Sequence, residues 1–251
     1  MSLDLFTFGN LARVPGITHA VTTRQGGVSD GRYASLNVSF TVDDEPAHVE
    51  ENLTRIATAV GTERSSLFSP YQVHGNASTL VDESTPERPC CDILLTTSPA
   101  RTLLLRYADC TPILLADLKQ HAIAAAHAGW RGTALRTAST AVRAMAEAFG
   151  SAPADLVVGI GPAIGPCCYQ VGPEVVSEFA DRDWAINRSA GDTKLDLWEA
   201  NRRDLVEAGV PESQIELAGI CTQCQSDQFF SHRANGGQNA GRFAAVIRLT
   251  A

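Results

Sequence analysis

The sequence of 251 residues is poor in positive charge, in aromatic side chains and in long hydrophobic runs. Its 20 lysine and arginine residues stand against 28 aspartate and glutamate residues, so the formal net charge is -8. Nucleic-acid phosphates demand a basic surface from a protein that binds them without sequence preference. The composition therefore predicts no nucleic-acid partner.

Signals for a membrane or for secretion are also missing. Apolar segments such as HAIAAAHAGW fall well short of the roughly 20 residues that a membrane-spanning helix needs. The start MSLDLFTFGN has neither the basic residues nor the apolar core of a secretion signal. Seven cysteines, an odd number, fit a reducing compartment better than a disulfide framework. We therefore expect a cytoplasmic protein without a membrane-spanning segment, and the sequence predicts no particular protein partner.

Several familiar catalytic signatures are absent. The six histidines form no HxH pair, and the only methionines are Met1 and Met145, which argues against a multicopper oxidase or a blue-copper protein. The HxE and PCxxC signature of nucleobase deaminases is missing as well. The loop GIGPAIGPCC has no GK[ST] to follow it, and Pro162 and Pro166 remove amides that a dinucleotide fingerprint uses. This loop could cradle phosphate or could form only a rigid turn.

The pattern of apolar residues predicts a mixed α/β fold. The segments TLLLRYADC, TPILLAD and HAIAAAHAGW are typical of closely connected strands. The segment TALRTASTAVRAMAEAFG predicts a helix with Thr133 as its N-cap and Gly150 as its stop, and Pro173 and KLDLWEANRRDLVEAG mark two further helices. IELAGICT predicts a short strand, and FFSHRANGGQNAGRFAAVIRL predicts a hairpin. Since no repeat or long linker interrupts the chain, we expect one layered domain over residues 1–251, with mixed sheets flanked by helices.

What the chain does have is a dispersed trio of metal-ligand side chains. His74 in YQVHGN, Cys110 in RYADCTPILL and His127 in AAHAGWRGT each fall where a strand is expected to end. Two imidazoles and a thiolate suit zinc, with copper a less favoured ion, and three protein ligands leave one tetrahedral position open for water or substrate. The trio therefore predicts a catalytic rather than a structural metal site.

The chain resembles the YfiH family, also called laccase-domain or peptidoglycan editing factor proteins. The resemblance rests on TTRQGGVS, QVHG, ADCTPILLAD, AHAGWRGT, GIGPAIGPCCYQVG and FFSHRANGG followed by GR, which occur in order along nearly the whole chain. It implies a YfiH-like fold of layered sheets and helices, with zinc held by the trio. It also implies phosphorolysis of adenosine, inosine, guanosine or methylthioadenosine, and deamination of adenosine. The chain departs from its relatives at Tyr107, at His232 with Arg233, and at Ala240, so its outer pocket is expected to differ.

Candidate binding residues for the nucleoside and phosphate follow from these segments. Arginine is the natural clamp for phosphate, and Arg24, Arg131, Arg233 and Arg242 all lie in family-like segments. Arg131 is the strongest choice because it lies between His127 and an expected helix start. Gln72 lies on the same side of an extended segment as His74, where it could contact the base or the ligand shell.

Two other functions stay open. Cys110 with His127 or His74 could be a thiolate and its base in a cysteine hydrolase that acts on an amide such as a cell-wall precursor. A copper-dependent polyphenol oxidase, the laccase alternative, is disfavoured by the histidine pattern. A second metal is not expected, because Cys221 and Cys224 form the only CxxC pair and the adjacent Cys167 and Cys168 are poorly spaced to join it.

Overall fold

The computed structural model of the protein describes residues 3–189 and 191–250. The strands are β1 (Leu5–Phe6), β2 (Ile17–Thr22), β3 (Leu67–Phe68), β4 (Ser78–Leu80), β5 (Ile93–Thr96), β6 (Thr102–Tyr107), β7 (Thr111–Asp117), β8 (Ala122–Ala128), β9 (Leu156–Ile160), β10 (Ile186–Ser189), β11 (Asp192–Leu195), β12 (Ile215–Leu217) and β13 (Phe243–Leu249). The α-helices are α1 (Pro46–Ala59), α2 (Trp130–Ala134), α3 (Thr137–Phe149), α4 (Pro173–Ser177) and α5 (Leu197–Glu207), and short 3-10 turns join several of these elements.

Two mixed sheets form the centre of the fold. One has the strand order β1-β2-β13-β6-β3, with only the β3–β6 pair parallel. The other has the order β12-β9-β7-β8-β5-β4, in which the two edge pairs are parallel and the inner pairs antiparallel. Strands β10 and β11 form a separate hairpin.

Side chains alternate along the central strands and so build three stacked cores. On β6, Leu103 and Leu105 pack towards the second sheet, whereas Leu104 packs beneath α1. On β7, Leu114 joins the core between the sheets and Ile113 joins a core beneath α3 and α5. The resulting order of layers is helix, sheet, sheet, helix, and the predicted class of mixed sheets flanked by helices is confirmed. Among the described residues, no helix combines the length and apolar character that crossing a membrane requires.

The helix predicted to begin at Thr133 is divided in the structure. Thr133 lies inside α2, where its amide donates to Gly129 O, so it is not an N-cap. Arg136 then adopts a left-handed conformation with φ 58°, and α3 begins at Thr137. The predicted stop at Gly150 is confirmed, since this residue has φ 70° at the C-cap of α3.

The predicted C-terminal hairpin is wrong. Residues 230–242 form turns and loop, and only β13 is a strand in this segment. Strand β13 pairs instead with β2 and β6, which lie far away in the sequence. The turn-rich ANGGQNAG segment is consequently a long exposed loop rather than a tight hairpin connection.

Candidate functional site

The three predicted ligands converge where β7 and β8 meet the loop that carries His74. Cys110 lies between β6 and β7, and His127 lies on β8 opposite Pro112. His74 occupies a turn with φ 61°, a backbone conformation that directs the chain sharply past this point. One ligand atom from each of the three side chains lies within 4.8 Å of the others.

Asp92 organises both histidines, although no sequence motif points to it. Its Oδ1 lies 2.7 Å from Nδ1 of His127 and accepts the His74 amide at 3.1 Å, while Oδ2 accepts the amides of Val73 and Gly75 at 3.1 Å and 2.7 Å. The carboxylate is fully buried. Because Nδ1 of His127 is engaged, Nε2 is the nitrogen left to face Cys110. The signal in the sequence was weak, since an Asp preceding the apolar ILLT strand fits an ordinary strand start.

Charge stabilisation in this cluster favours a thiolate. Burial on its own opposes ionisation of Cys110, but the neighbouring His127 and hydrogen bonds with both histidines lower its pKa to about 6. Burial likewise disfavours an imidazolium at His127, whereas Cys110 and Asp92 raise its pKa to about 9. Both shifts favour a thiolate beside an imidazolium in the metal-free pair, and a cation held by the trio would take the place of the His127 proton.

The space between these side chains fits a metal ion. A Cβ atom at Gly129 would lie 2.8 Å from the Cys110 sulfur and 3.4 Å from Nδ1 of His74. Glycine thus keeps the ligand atoms accessible. The donor set of two nitrogens and one sulfur suits zinc, and the residues present fit the ion that the sequence pattern predicts.

A cationic cavity opens on one side of the trio. Its volume is about 340 Å³, and its floor includes Cys110 and His127. Three arginines line it: Arg88, Arg106 and Arg242. Of these, only Arg242 is among the binding residues predicted from the sequence. Burial and then the like charges of neighbouring arginines lower the pKa of Arg106 to about 10, so it stays charged at neutral pH. A bound anion would relieve this repulsion.

Gln72 and Arg242 lie in this cavity but make contacts of their own. The amide of Gln72 donates to Arg106 O at 2.8 Å and accepts from Arg106 N at 2.9 Å, so it fastens its segment to β6. One terminal nitrogen of Arg242 donates to the carbonyls of Ala240 and Gly241. The rest of the Arg242 guanidinium is available to a ligand.

A second cavity, of about 250 Å³, is also lined by Cys110 and His74. Trp130 and Tyr169 give it aromatic walls, and Ile164 and Leu197 give it apolar ones, as the full set of lining residues shows: His74, Ala108, Asp109, Cys110, Gly129, Trp130, Arg131, Ile164, Tyr169, Leu197, His232 and Arg233. The predicted binding residues Arg131 and Arg233 stand here over aromatic rings, with their guanidinium carbons 4.3 Å from the Trp130 centroid and 5.2 Å from the Tyr169 centroid.

Arg24 lies apart from both cavities. It donates to the carbonyls of Ala34 at 2.9 Å and Ser226 at 2.7 Å, and its guanidinium covers the ring of Phe230. Its own concave surface is lined by neither the trio nor the other predicted binding residues. The structure therefore brings four of the five predicted binding residues to the trio, and Arg24 serves to hold loops together.

Asp109 and the glycine-rich loop, residues 159–168, complete the surroundings of the trio. Asp109 has φ 85° and accepts Thr222 Oγ1 at 2.6 Å and the Arg233 amide at 2.7 Å, which fixes the wall of the second cavity. In the glycine-rich loop, the amides of Gly161 and Ile164 donate to carbonyls, and the amide of Gly165 donates to Cys221. Because these donors are occupied, the loop is a rigid connection rather than a phosphate cradle.

Comparisons with known proteins agree with this architecture. A family model described as multi-copper polyphenol oxidoreductase laccase matches residues 18–250. A purine nucleoside phosphorylase of Bacteroides thetaiotaomicron is 37% identical over 96% of this chain and 95% of its own. An adenosine deaminase from an unknown prokaryotic organism is 31% identical, covering 94% and 95%. The crystal structure of YlmD from Geobacillus stearothermophilus superposes with a TM-score of 0.89 at 35% identity, covering 95% and 93%.

Proposed function

This chain belongs to the multi-copper polyphenol oxidoreductase laccase family, also called the laccase-domain or YfiH family, and we propose that it is a zinc-dependent purine nucleoside phosphorylase that also deaminates adenosine. Its relatives named purine nucleoside phosphorylase and adenosine deaminase support this proposal. The observation that carries the proposal is that His74 and Cys110 line two cavities of different character. Arg88, Arg106 and Arg242 line the first cavity, whereas the second combines aromatic and apolar side chains with Arg131 and Arg233.

The two cavities match the two halves of a phosphorolysis reaction. Arg88, Arg106 and Arg242 would bind phosphate in the first cavity, since guanidinium groups form charge-assisted hydrogen bonds with phosphate oxygens. Trp130 and Tyr169 would hold the purine in the second cavity. A nucleoside seated there would bring its ribose past the trio towards the phosphate. Adenosine, inosine, guanosine and methylthioadenosine share the purine and ribose that this arrangement would recognise.

The trio is the reactive centre in the proposed reaction. His74, Cys110 and His127 would hold zinc, which acts as a Lewis acid and lowers the pKa of water when bound. Asp92 keeps Nδ1 of His127 engaged and holds the His74 turn through three backbone amides. Positioning of this kind matters because phosphorolysis depends on alignment of phosphate with the ribose carbon that carries the base.

Product analysis tests the proposal. We expect purified protein to convert adenosine into adenine and ribose 1-phosphate only when phosphate is present, and into inosine without phosphate. Both activities should be absent in Cys110→Ala and retained in Cys90→Ala, since Cys90 is an exposed cysteine outside the trio. A zinc-loaded protein that forms no product from any of the four nucleosides would refute the proposal.

A cysteine hydrolase is the second candidate, and one geometric observation favours it. Cys110 contacts His127, and His127 contacts Asp92, which is the order expected of a nucleophile, its base and an orienting carboxylate. The lowered pKa of Cys110 also favours a nucleophilic thiolate. A hydrolase should cleave an amide substrate after chelation and be trapped at Cys110 by a haloacetamide. A zinc enzyme should instead be protected from the haloacetamide until its metal is removed.

A further inference from the structure

A second cluster of sulfur ligands lies outside the site already described. Cys167 and Cys168 lie in the turn after β9, and Cys221 and Cys224 lie in the turn after β12. The four sulfurs all lie within 4.8 Å of one another, and that of Cys224 is 3.6 Å from Cys167 and 3.4 Å from Cys168. The expectation that adjacent cysteines are badly spaced to join the CxxC pair is therefore wrong, because the turn directs both side chains to the same point.

The spacing of these sulfurs suits a metal better than a disulfide. A disulfide requires sulfurs about 2.05 Å apart, so the two shortest separations are far from a covalent bond. Four thiolates around zinc, each about 2.3 Å from the ion in a tetrahedron, lie about 3.8 Å from one another. The observed separations are close to this value.

A backbone donor contacts one sulfur of the cluster, and the cluster is open to solvent. The amide of Gly165 donates to the Cys221 sulfur at 3.2 Å, an interaction that favours a thiolate. The ammonium of Lys194 donates to the carbonyl of Cys167 at 2.9 Å, which ties this turn to β11. Cys221 is buried, whereas Cys167 and Cys224 are exposed, so an ion has a path to the cluster.

We propose that Cys167, Cys168, Cys221 and Cys224 form a second, structural zinc site. Four protein ligands leave no open position, which distinguishes this site from the trio. The metal would join the loop that carries Tyr169 to the segment between Cys224 and Arg233. Tyr169 and Arg233 both line the second cavity. Its function is to fix that wall, and the proposal stands whether or not the protein acts on nucleosides.

Metal analysis of the full-length protein, purified without oxygen, tests this assignment. Wild-type protein and Cys90→Ser should carry about two zinc ions per chain, whereas Cys224→Ser and Cys110→Ala should each carry about one. Cobalt in Cys224→Ser should lose most of the thiolate-to-cobalt absorbance and keep the contribution of the trio. Two zinc ions in Cys224→Ser, or iron in the second position of wild-type protein, would overturn the assignment.

Alkylation of wild-type protein provides a test that does not depend on a variant folding. N-ethylmaleimide should modify Cys90 at once but should modify Cys167 and Cys224 only after chelation, although all three are exposed. Equal rates at the three cysteines before chelation would contradict the proposal. A disulfide within the cluster of the protein purified without oxygen would contradict it as well.

Discussion

Asp92 connects two members of the trio. One buried carboxylate joins the ring of His127 on β8 to the amides of the turn that carries His74. Removal of its charge would leave both ligands in place but would change the proton on one of them. Carboxylates that hold a ligating histidine in this way strengthen metal binding in many proteins.

Asp92→Asn should weaken zinc binding at the trio by roughly 10- to 100-fold. The amide can still accept hydrogen bonds, but it no longer raises the pKa of His127 or favours its Nδ1 proton. Competition with a chelator measures the change. Asp117→Asn is the matched control, because Asp117 is a buried aspartate that also accepts backbone amides but lies at the far end of β7. Equal affinities in wild-type protein and Asp92→Asn would contradict this role.

Gly129→Ala should remove zinc from the trio while the fold survives. The added methyl group would approach the Cys110 sulfur to 2.8 Å and occupy space beside His74. Zinc content and nucleoside turnover measure the effect. In the control Gly9→Ala, the nearest atom to the new methyl group is a Glu216 oxygen at 3.5 Å, an ordinary contact, so zinc content should be unchanged.

At the scale of elements, strand order rather than local sequence decides where the trio forms. Apolar periodicity was enough to predict β6, β7, β8, α5 and the end of α3, because these segments have a clear buried face. It could not predict the break between α2 and α3. There the Thr133 hydroxyl accepts from Asn201 at 3.0 Å, and the carbonyl of Thr133 accepts from Arg182 at 2.9 Å. Those partners lie 68 and 49 residues away in the sequence.

Strand β2 carries a histidine that should make stability depend on pH. His19 is buried, its Nε2 accepts the Phe8 amide at 2.8 Å, and burial lowers its pKa to about 4 despite the opposing effect of Glu216. Below the unfolded pKa of about 6.5 the unfolded chain binds a proton that the folded chain does not. The free energy of unfolding should thus fall by up to about 3 kcal/mol from His19 alone as pH falls from about 6.5 to about 4.

Denaturant unfolding at several pH values checks this expectation. His19→Gln keeps an acceptor for the Phe8 amide but cannot be protonated, so its stability should fall less steeply between those pH values. The exposed His121 provides the control, since His121→Gln should follow the wild-type curve. Identical slopes for wild-type protein and His19→Gln would show that His19 is not the cause.

At the scale of the whole molecule, the site depends on contacts between segments that are remote in sequence. The trio of two imidazoles and a thiolate, and four of the five binding residues, could be found from sequence motifs. The arginine cavity could not, because Arg88 and Arg106 carry no recognisable pattern. Arg106 on β6 meets Arg242 through the pairing of β13 with β6, and Arg88 reaches the cavity from the loop between β4 and β5. The cysteine cluster was missed for the same reason, since its two halves meet across the turns after β9 and β12.

Arg242→Gln should separate the two proposed activities. Loss of a charged hydrogen bond to phosphate, worth roughly 1.5–3 kcal/mol, should raise the KM for phosphate at least about tenfold. Deamination of adenosine uses no phosphate and should change far less. Steady-state kinetics of both reactions provide the measurement, and Arg143→Gln, on the exposed face of α3, is the control. Equal losses in both reactions would show that Arg242 does not act through phosphate.

The central claim is that nucleoside chemistry depends on metal at His74, Cys110 and His127. The most direct measurement is turnover of adenosine with phosphate by the protein as purified, after chelation, and after zinc is restored. Our account predicts that adenine formation disappears on chelation and returns with zinc in wild-type protein, but never returns in Cys110→Ala. Undiminished adenine formation by metal-free protein would contradict the account.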